Sequence, residues 1–225
     1  MKKPVVDYRE FRFSRINEPR FSHVKLLAGW IIYFTLFFLT ENLIPVEKCH
    51  VIHGFLDDVM PFCEWFVFAY IFWFVYVVGS LLYFFLYDIP AFRKLSCFIM
   101  VTQAVAMFVY IVYPNRQDLR PEVLPRQNIA TWIISIIYAF DTNTGVCPSL
   151  HVGYSLGIVS VWVKQNYAPR WFKAFVVIMA VVISLSTSFI RQHSTVDILA
   201  ALPLGLLAEI LVYGKDYWLP RLKRA

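Results

Sequence analysis

Apolar residues in this chain run together instead of alternating with polar ones. Six stretches, residues 26–44, 65–87, 95–113, 149–163, 171–190 and 195–213, are almost free of charge. Most approach the length of about 20 residues with which a helix crosses a bilayer core of roughly 30 Å. Prolines punctuate them: Pro45, Pro61, Pro90, Pro114, Pro148 and Pro169 fall near their ends, where the ring is tolerated. Pro203 and Gly205 lie inside the sixth stretch and predict a kink or tight packing against a neighbour. A shorter apolar segment, residues 129–140, is below spanning length and predicts a helix lying in the interface or tucked under the bundle. The pattern predicts an all-α, polytopic fold, a six-transmembrane-helix bundle with a short interfacial helix before the fourth span. No repeat, linker or low-complexity tract divides it. Residues 26–213 read as one membrane domain between a cytoplasmic segment, 1–25, and a cytoplasmic tail, 214–225.

Composition sharpens this picture. Hydrophobic residues make up 59% of the 225 and charged residues 16%, against about 25% charged in soluble domains. The net charge of +6 would suggest nucleic acid in a soluble protein; here the basic residues flank apolar spans and suit topology and anionic lipid instead. With the N-terminus cytoplasmic, sixteen of the 21 basic residues fall on the cytoplasmic side, among them Lys2 and Arg224. Lys48, Arg116, Arg120, Arg126 and Arg191 fall opposite. That asymmetry follows the positive-inside rule and predicts a multi-pass protein of the cell membrane with both termini cytoplasmic. Residues 1–21 carry charge throughout and make a poor signal peptide, so the first stretch is expected to remain as a span.

The outward basic residues break the rule, and an arginine cluster at an interface is costly unless it meets an anion. Phosphate suits the guanidinium fork, and ordinary headgroup contact is the plainer alternative. Four of the outward basic residues fall in two loops, Arg116, Arg120 and Arg126 before the fourth stretch and Arg191 after the fifth, and the same two loops carry histidines. His151 opens the fourth stretch within Cys147-Pro-Ser-Leu-His, and His193 precedes the sixth within Arg191-Gln-His-Ser-Thr-Val-Asp197. A four-residue step puts His193 and Asp197 on one helical face, so the carboxylate can orient one ring nitrogen and leave the other as a nucleophile. Ser149 and His151 sit where the free N–H groups of a helix start favour phosphate, and His151 suits acid–base work.

At these residues the sequence resembles the type 2 phosphatidic acid phosphatase superfamily, which also includes vanadium haloperoxidases. That family's pattern is a basic segment ending in Arg-Pro, then Pro-Ser-x-His, then Ser-Arg followed by His-x-x-x-Asp. Arg120-Pro121 matches the end of the first part, Pro148-Ser149-Leu150-His151 the second, and His193 with Asp197 the third. The family lysine falls on Tyr113 and the third-motif arginine on Thr187, after Ser186, with Arg116 and Arg191 as nearest substitutes. A similar arrangement occurs in the branch that includes inositol phosphorylceramide synthases. The resemblance implies that His193 attacks phosphorus, Asp197 orients it, and His151 acts as acid and then activates water. It implies that Arg116, Arg120, Ser149 and Arg191 hold the phosphate, with no metal or other cofactor, on the non-cytoplasmic face. The implied partner is a phosphorylated lipid within the bilayer. A lipid phosphotransferase with an alcohol acceptor is the nearest alternative, and a noncatalytic lipid-binding protein or transporter a more distant one.

Other residues read more plainly. His50, His53, Asp57 and Asp58 share one outer loop, as divalent-ion ligands or, more simply, as a solvated loop. Cys49 and Cys63 would share that loop too, and either pair or stay unrelated thiols. Glu41 and Glu64 suit interfacial helix ends, and Glu209 either faces the bundle or snorkels to the cytoplasmic surface.

Overall fold

The computed structural model describes residues 3–223, so Lys2 and Arg224 lie outside the described residues, as do the ends of the two flanking segments. The fold is all-helical in character, with 71% of the described residues in helices. In order it forms α1 (Ala28–Leu43), β1 (His50–Val51), α2 (Phe55–Val59), α3 (Val67–Tyr87) and α4 (Ile89–Val112). Then come β2 (Asn115–Arg116), α5 (Ile129–Phe140), α6 (Leu150–Val163), α7 (Arg170–Phe189) and α8 (Thr195–Tyr213). Among the described residues five helical segments are long and apolar enough to cross a membrane: Ser22–Leu43, Glu64–Tyr87, Ile89–Val112, Arg170–Phe189 and Thr195–Leu222. Two apolar helices are shorter, α5 with 12 residues and α6 with 14.

The third span starts earlier than its apolar pattern suggests. Asp88 caps α4 through Ala91 N–H at 3.1 Å, and Pro90 occupies the first turn, where its missing N–H costs nothing. Arg93 and Lys94 hide this turn from a hydropathy reading, but both belong to the helix.

The short helix α6 is the centre of the bundle, packed against α4, α7, α8 and α3. Its glycines make the approach close. A Cβ on Gly157 would stand 2.7 Å from Cδ1 of Phe98, a ring only 1% exposed. Small residues at four-residue spacing, here Gly153 and Gly157, let membrane helices touch backbone to backbone. Gly157→Leu should therefore lower stability by about 1–3 kcal/mol through overpacking. Thermal unfolding in detergent checks this, with Gly79→Leu, which has open space beside it, expected to leave the midpoint in place.

The two ends of the bundle differ in chemistry. At one end the N-terminal segment ties to the α3–α4 turn, through Val5 N–H to Leu86 O at 2.8 Å and Tyr8 Oη to Phe85 O at 2.7 Å. Lys94 reaches Val212 O and Asp216, both at 2.7 Å, and Lys164 pairs with Glu209 at 2.7 Å. Glu209 also accepts from Ser160 Oγ and Trp218 Nε1, which settles it as a lock between α6 and the end of α8. At the other end β1 pairs in parallel with β2, His50 opposite Asn115, and α2, α5 and the loops before α6 and α8 gather. Arg126 grips Glu64 with two bonds of 2.6 and 2.7 Å, and Asn128 adds a third. Glu64 is 1% exposed, so it is a buried, paired carboxylate rather than an interfacial one.

Candidate functional site

The start of α8 is built by a reciprocal cap. Ser194 precedes the helix, and Asp197 in its first turn returns Oδ2 to the Ser194 N–H at 2.9 Å. The same Oδ2 lies 3.1 Å from Nδ1 of His193. Val146 O sits at 3.1 Å from that nitrogen as well. Both neighbours are acceptors, so they assign the proton of His193 to Nδ1 and leave a lone pair on Nε2. Val146 is held in turn by Asn115, whose Oδ1 accepts the N–H groups of Val146 and Cys147 at 3.0 and 2.8 Å. Asn115 is 1% exposed and fixes the loop segment whose carbonyl orients the histidine.

His151 enters from the first turn of α6. Its Nδ1 stands 3.2 Å from Nε2 of His193. Since that Nε2 carries the lone pair, the His151 Nδ1–H donates to it. The His151 ring packs on Trp73 and Tyr70, with centroids 4.3 and 4.7 Å away, and its Nε2 is buried without a partner among the described residues. The start of α6 is tied to α8 by Ser149 N–H to Asp197 O at 3.1 Å. His151, His193 and Asp197 thus form one line. It can present a nucleophilic nitrogen backed by a carboxylate, with a proton donor facing it.

The residues expected to hold phosphate are arranged differently. Arg120 gives its Nη atoms to the carbonyls of Tyr138, Asp141 and Thr142 and to Gln192 Oε1, at 2.6–3.3 Å. Arg191, at a positive φ of 57°, bonds Asp57 O and Met60 O at 2.8 and 2.6 Å. Arg116 pairs with Asp118 at 3.1 Å and reaches Val46 O. Ser149 is fully buried, and its Oγ has no partner among the described residues; the same holds for Nε of Arg120. The structure brings the triad together and leaves these three guanidinium groups bound to protein.

The line of histidines lines one end of a cavity of about 570 Å³. Its walls are α1 and α3, including Trp30, Phe34, Phe37, Trp73, Phe74 and Leu81, and its floor includes Tyr110 and Tyr154. Helix α1 rests on α4 and has no buried residue. Phe34 and Phe74, facing the gap, are 58% and 55% exposed. From Leu27 to Phe37 the wall rises about 15 Å along α1, half a hydrocarbon core of roughly 30 Å and so the depth of one leaflet.

Several residues here escape the sequence patterns. Asp57, one of the four candidate ion ligands, is 2% exposed and accepts instead from Ser194 Oγ, Thr195 N–H and Gly54 N–H at 2.5, 2.7 and 2.8 Å. His50 instead stacks on Tyr113, and His53 pairs with exposed Asp58. Cys49 and Cys63 are both free thiols. Asp141 also lines the cavity, with Oδ2 accepting from Gln192 Nε2 at 3.1 Å. Surrounding protein pushes its carboxyl above the usual range, against the pull of Arg120. No sequence pattern marks this network; the position of Gln192, directly beside His193, is the one signal that points to it. No family model matches the chain, and no curated protein or solved structure matches it either, so geometry and residue chemistry carry the functional argument.

Proposed function

We propose that this protein is a metal-independent integral membrane phosphatase that hydrolyses a lipid phosphate or diphosphate through a phosphohistidine. In this reading it belongs with the type 2 phosphatidic acid phosphatases, near the inositol phosphorylceramide synthase-like branch. The short helix α6 serves as the fourth of six spans, and α5 lies at the interface. Both termini face the cytoplasm, and the triad faces the other side of the cell membrane. The gathering of Lys94, Lys164 and the N-terminal segment at the end away from the histidines supports this orientation.

One observation carries the reading: the His151–His193–Asp197 line stands at the head of a leaflet-deep apolar groove that opens sideways between α1 and α3. A lipid tail in that groove delivers its phosphate between the two histidines. Nε2 of His193 then attacks phosphorus as the ester oxygen leaves with the Nδ1 proton of His151, which has taken up a second proton beside the bound phosphate dianion and so returns to the neutral imidazole. His151, now basic, takes a proton from water; the water oxygen bonds to phosphorus, the N–P bond breaks, and phosphate departs. Asp197 stabilises the positive charge that gathers on His193 during attack.

The test is phosphate release by purified protein in chelator-containing detergent from a panel of phosphatidic acid, isoprenyl phosphates and isoprenyl diphosphates. Turnover of at least one member, with an acid-labile phosphoryl label on His193, is expected. Labelled lipid that binds without any phosphate release would sink the phosphatase and leave a noncatalytic lipid-binding protein or transporter.

A further inference from the structure

The head of the groove holds a second set of polar groups that the triad does not use. Asp141 ends α5, where its N–H bonds Ile137 O at 2.9 Å, and its carbonyl takes Arg120 Nη1 at 2.9 Å. Its Oδ2 accepts from Gln192, whose own oxygen is held by Arg120 at 2.6 Å. The carboxylate is therefore wired to the residue beside the nucleophile, while it borders the same cavity as His151 and His193. Next to it, Thr142 and Thr144 also line the cavity, with their hydroxyl oxygens 3.1 Å apart.

The direction of these bonds decides what the wall can bind. Thr142 donates its hydroxyl proton to Glu41. Thr144 must then donate to Thr142, so both oxygens keep only lone pairs. Together with the Asp141 carboxylate, they form a wall made of hydrogen-bond acceptors. Phosphate oxygens are acceptors as well, so such a wall repels them. It receives O–H donors.

We propose that Asp141, Thr142 and Thr144 form a subsite for a polyol that takes the phosphoryl group from His193 in place of water. This rests on the phosphohistidine reading. One hydroxyl of the polyol gives its proton to His151, its oxygen bonds to phosphorus, and the N–P bond to His193 breaks, releasing a polyol phosphate and restoring neutral His193. A neighbouring hydroxyl donates to Asp141 and fixes the attack angle. Asp141 is thus a binding residue that sets the acceptor.

The experiment uses the purified protein with a lipid phosphate donor and glycerol, myo-inositol, 1-propanol or ethanolamine in parallel, and reads the ratio of alcohol phosphate to free phosphate. Both products leave a common phosphoenzyme, so the ratio does not depend on how fast that species forms. Wild type should favour glycerol and inositol over 1-propanol at equal concentration by at least tenfold, and Asp141→Asn should remove most of that preference. Thr144→Val, a near-isosteric change, should lower it several-fold and serves if the aspartate variant does not fold. Equal ratios for glycerol and 1-propanol, or an unchanged ratio in both variants, overturn the subsite while leaving the phosphatase intact. A preference for ethanolamine overturns it too, because the carboxylate would then be a receptor for charge. Absence of phosphoenzyme with every donor removes the phosphohistidine reading itself, and the subsite falls with it.

Discussion

His193→Asn is expected to reduce lipid phosphate hydrolysis by about a thousandfold or more, the scale set by losing a covalent nucleophile. Asparagine places an N–H near the old Nδ1, so Asp197 Oδ2 and Val146 O keep a donor and the fold should persist. His151→Gln is expected to behave differently, and the contrast is the stronger test. In the proposed mechanism His151 supplies a proton to the leaving oxygen, so its loss should slow cleavage of alkyl phosphates sharply. An aryl phosphate leaves without that help. With such a substrate, His151→Gln should give a burst of phenolate followed by slow turnover, because water activation then lacks a base. Rapid-quench measurement of the burst and of the trapped phosphoenzyme checks both variants. A burst in His193→Asn would refute the nucleophile. The resting hydrogen bond between the rings adds a consequence. The His193 lone pair is occupied by His151 until phosphate enters, so free protein should react slowly with small electrophiles at His193. His151→Gln should react faster.

The histidines were legible in the sequence because helix geometry constrains their spacing. A helix start after Pro148 and a four-residue step from His193 leave little freedom, and α6 and α8 begin within a residue of where those motifs place them. The apolar runs likewise mark α1, α3, α7 and α8 to within a few residues. Other features were not legible, each for a physical reason. The run at 149–163 marks α6, but the 14-residue helix is too short by about a third for a roughly 30 Å core, and only its packing by four neighbours, which no run of apolar residues records, explains a short apolar helix there. The arginines were the least legible. Charge dictates that Arg120 and Arg191 find acceptors, but carbonyls from distant loops serve as well as phosphate, and no pattern in a sequence records them. Glu64 and Asp57 show the same effect from the acidic side, each buried by a partner more than sixty residues away.

The largest loss of stability is expected from Asp57 and Arg191, which clamp α2 to the loop that carries His193 in both directions. Arg191 caps the end of α2 through the carbonyls of residues 57 and 60, and Asp57 caps the start of α8 through Ser194 and Thr195. The positive φ of Arg191 shows that the backbone turn is held by these contacts, since the region is unfavourable for a side chain of that size. Asp57→Ala leaves one hydroxyl and two N–H donors in a buried place without an acceptor, at a cost of about 3 kcal/mol or more. Arg191→Ala should cost a similar amount by freeing two carbonyls. Because Ser194 caps the turn of α8 that carries Asp197, both variants should also lose activity, whereas Asp57→Asn should recover part of the fold. The pH dependence has a definite sign. Burial would raise the Asp57 carboxyl, but the bonds from Ser194, Thr195 and Gly54 outweigh it and hold the group below the usual aspartate range. A lowered native value means that its stabilisation is complete above the ordinary carboxylate range and is lost as pH falls through the native value. Thermal unfolding of detergent-solubilised protein should therefore decline on the acid side in wild type and flatten there in Asp57→Asn. An acid limb equally steep in both proteins would place the titrating group elsewhere and reduce the clamp to its uncharged hydrogen bonds.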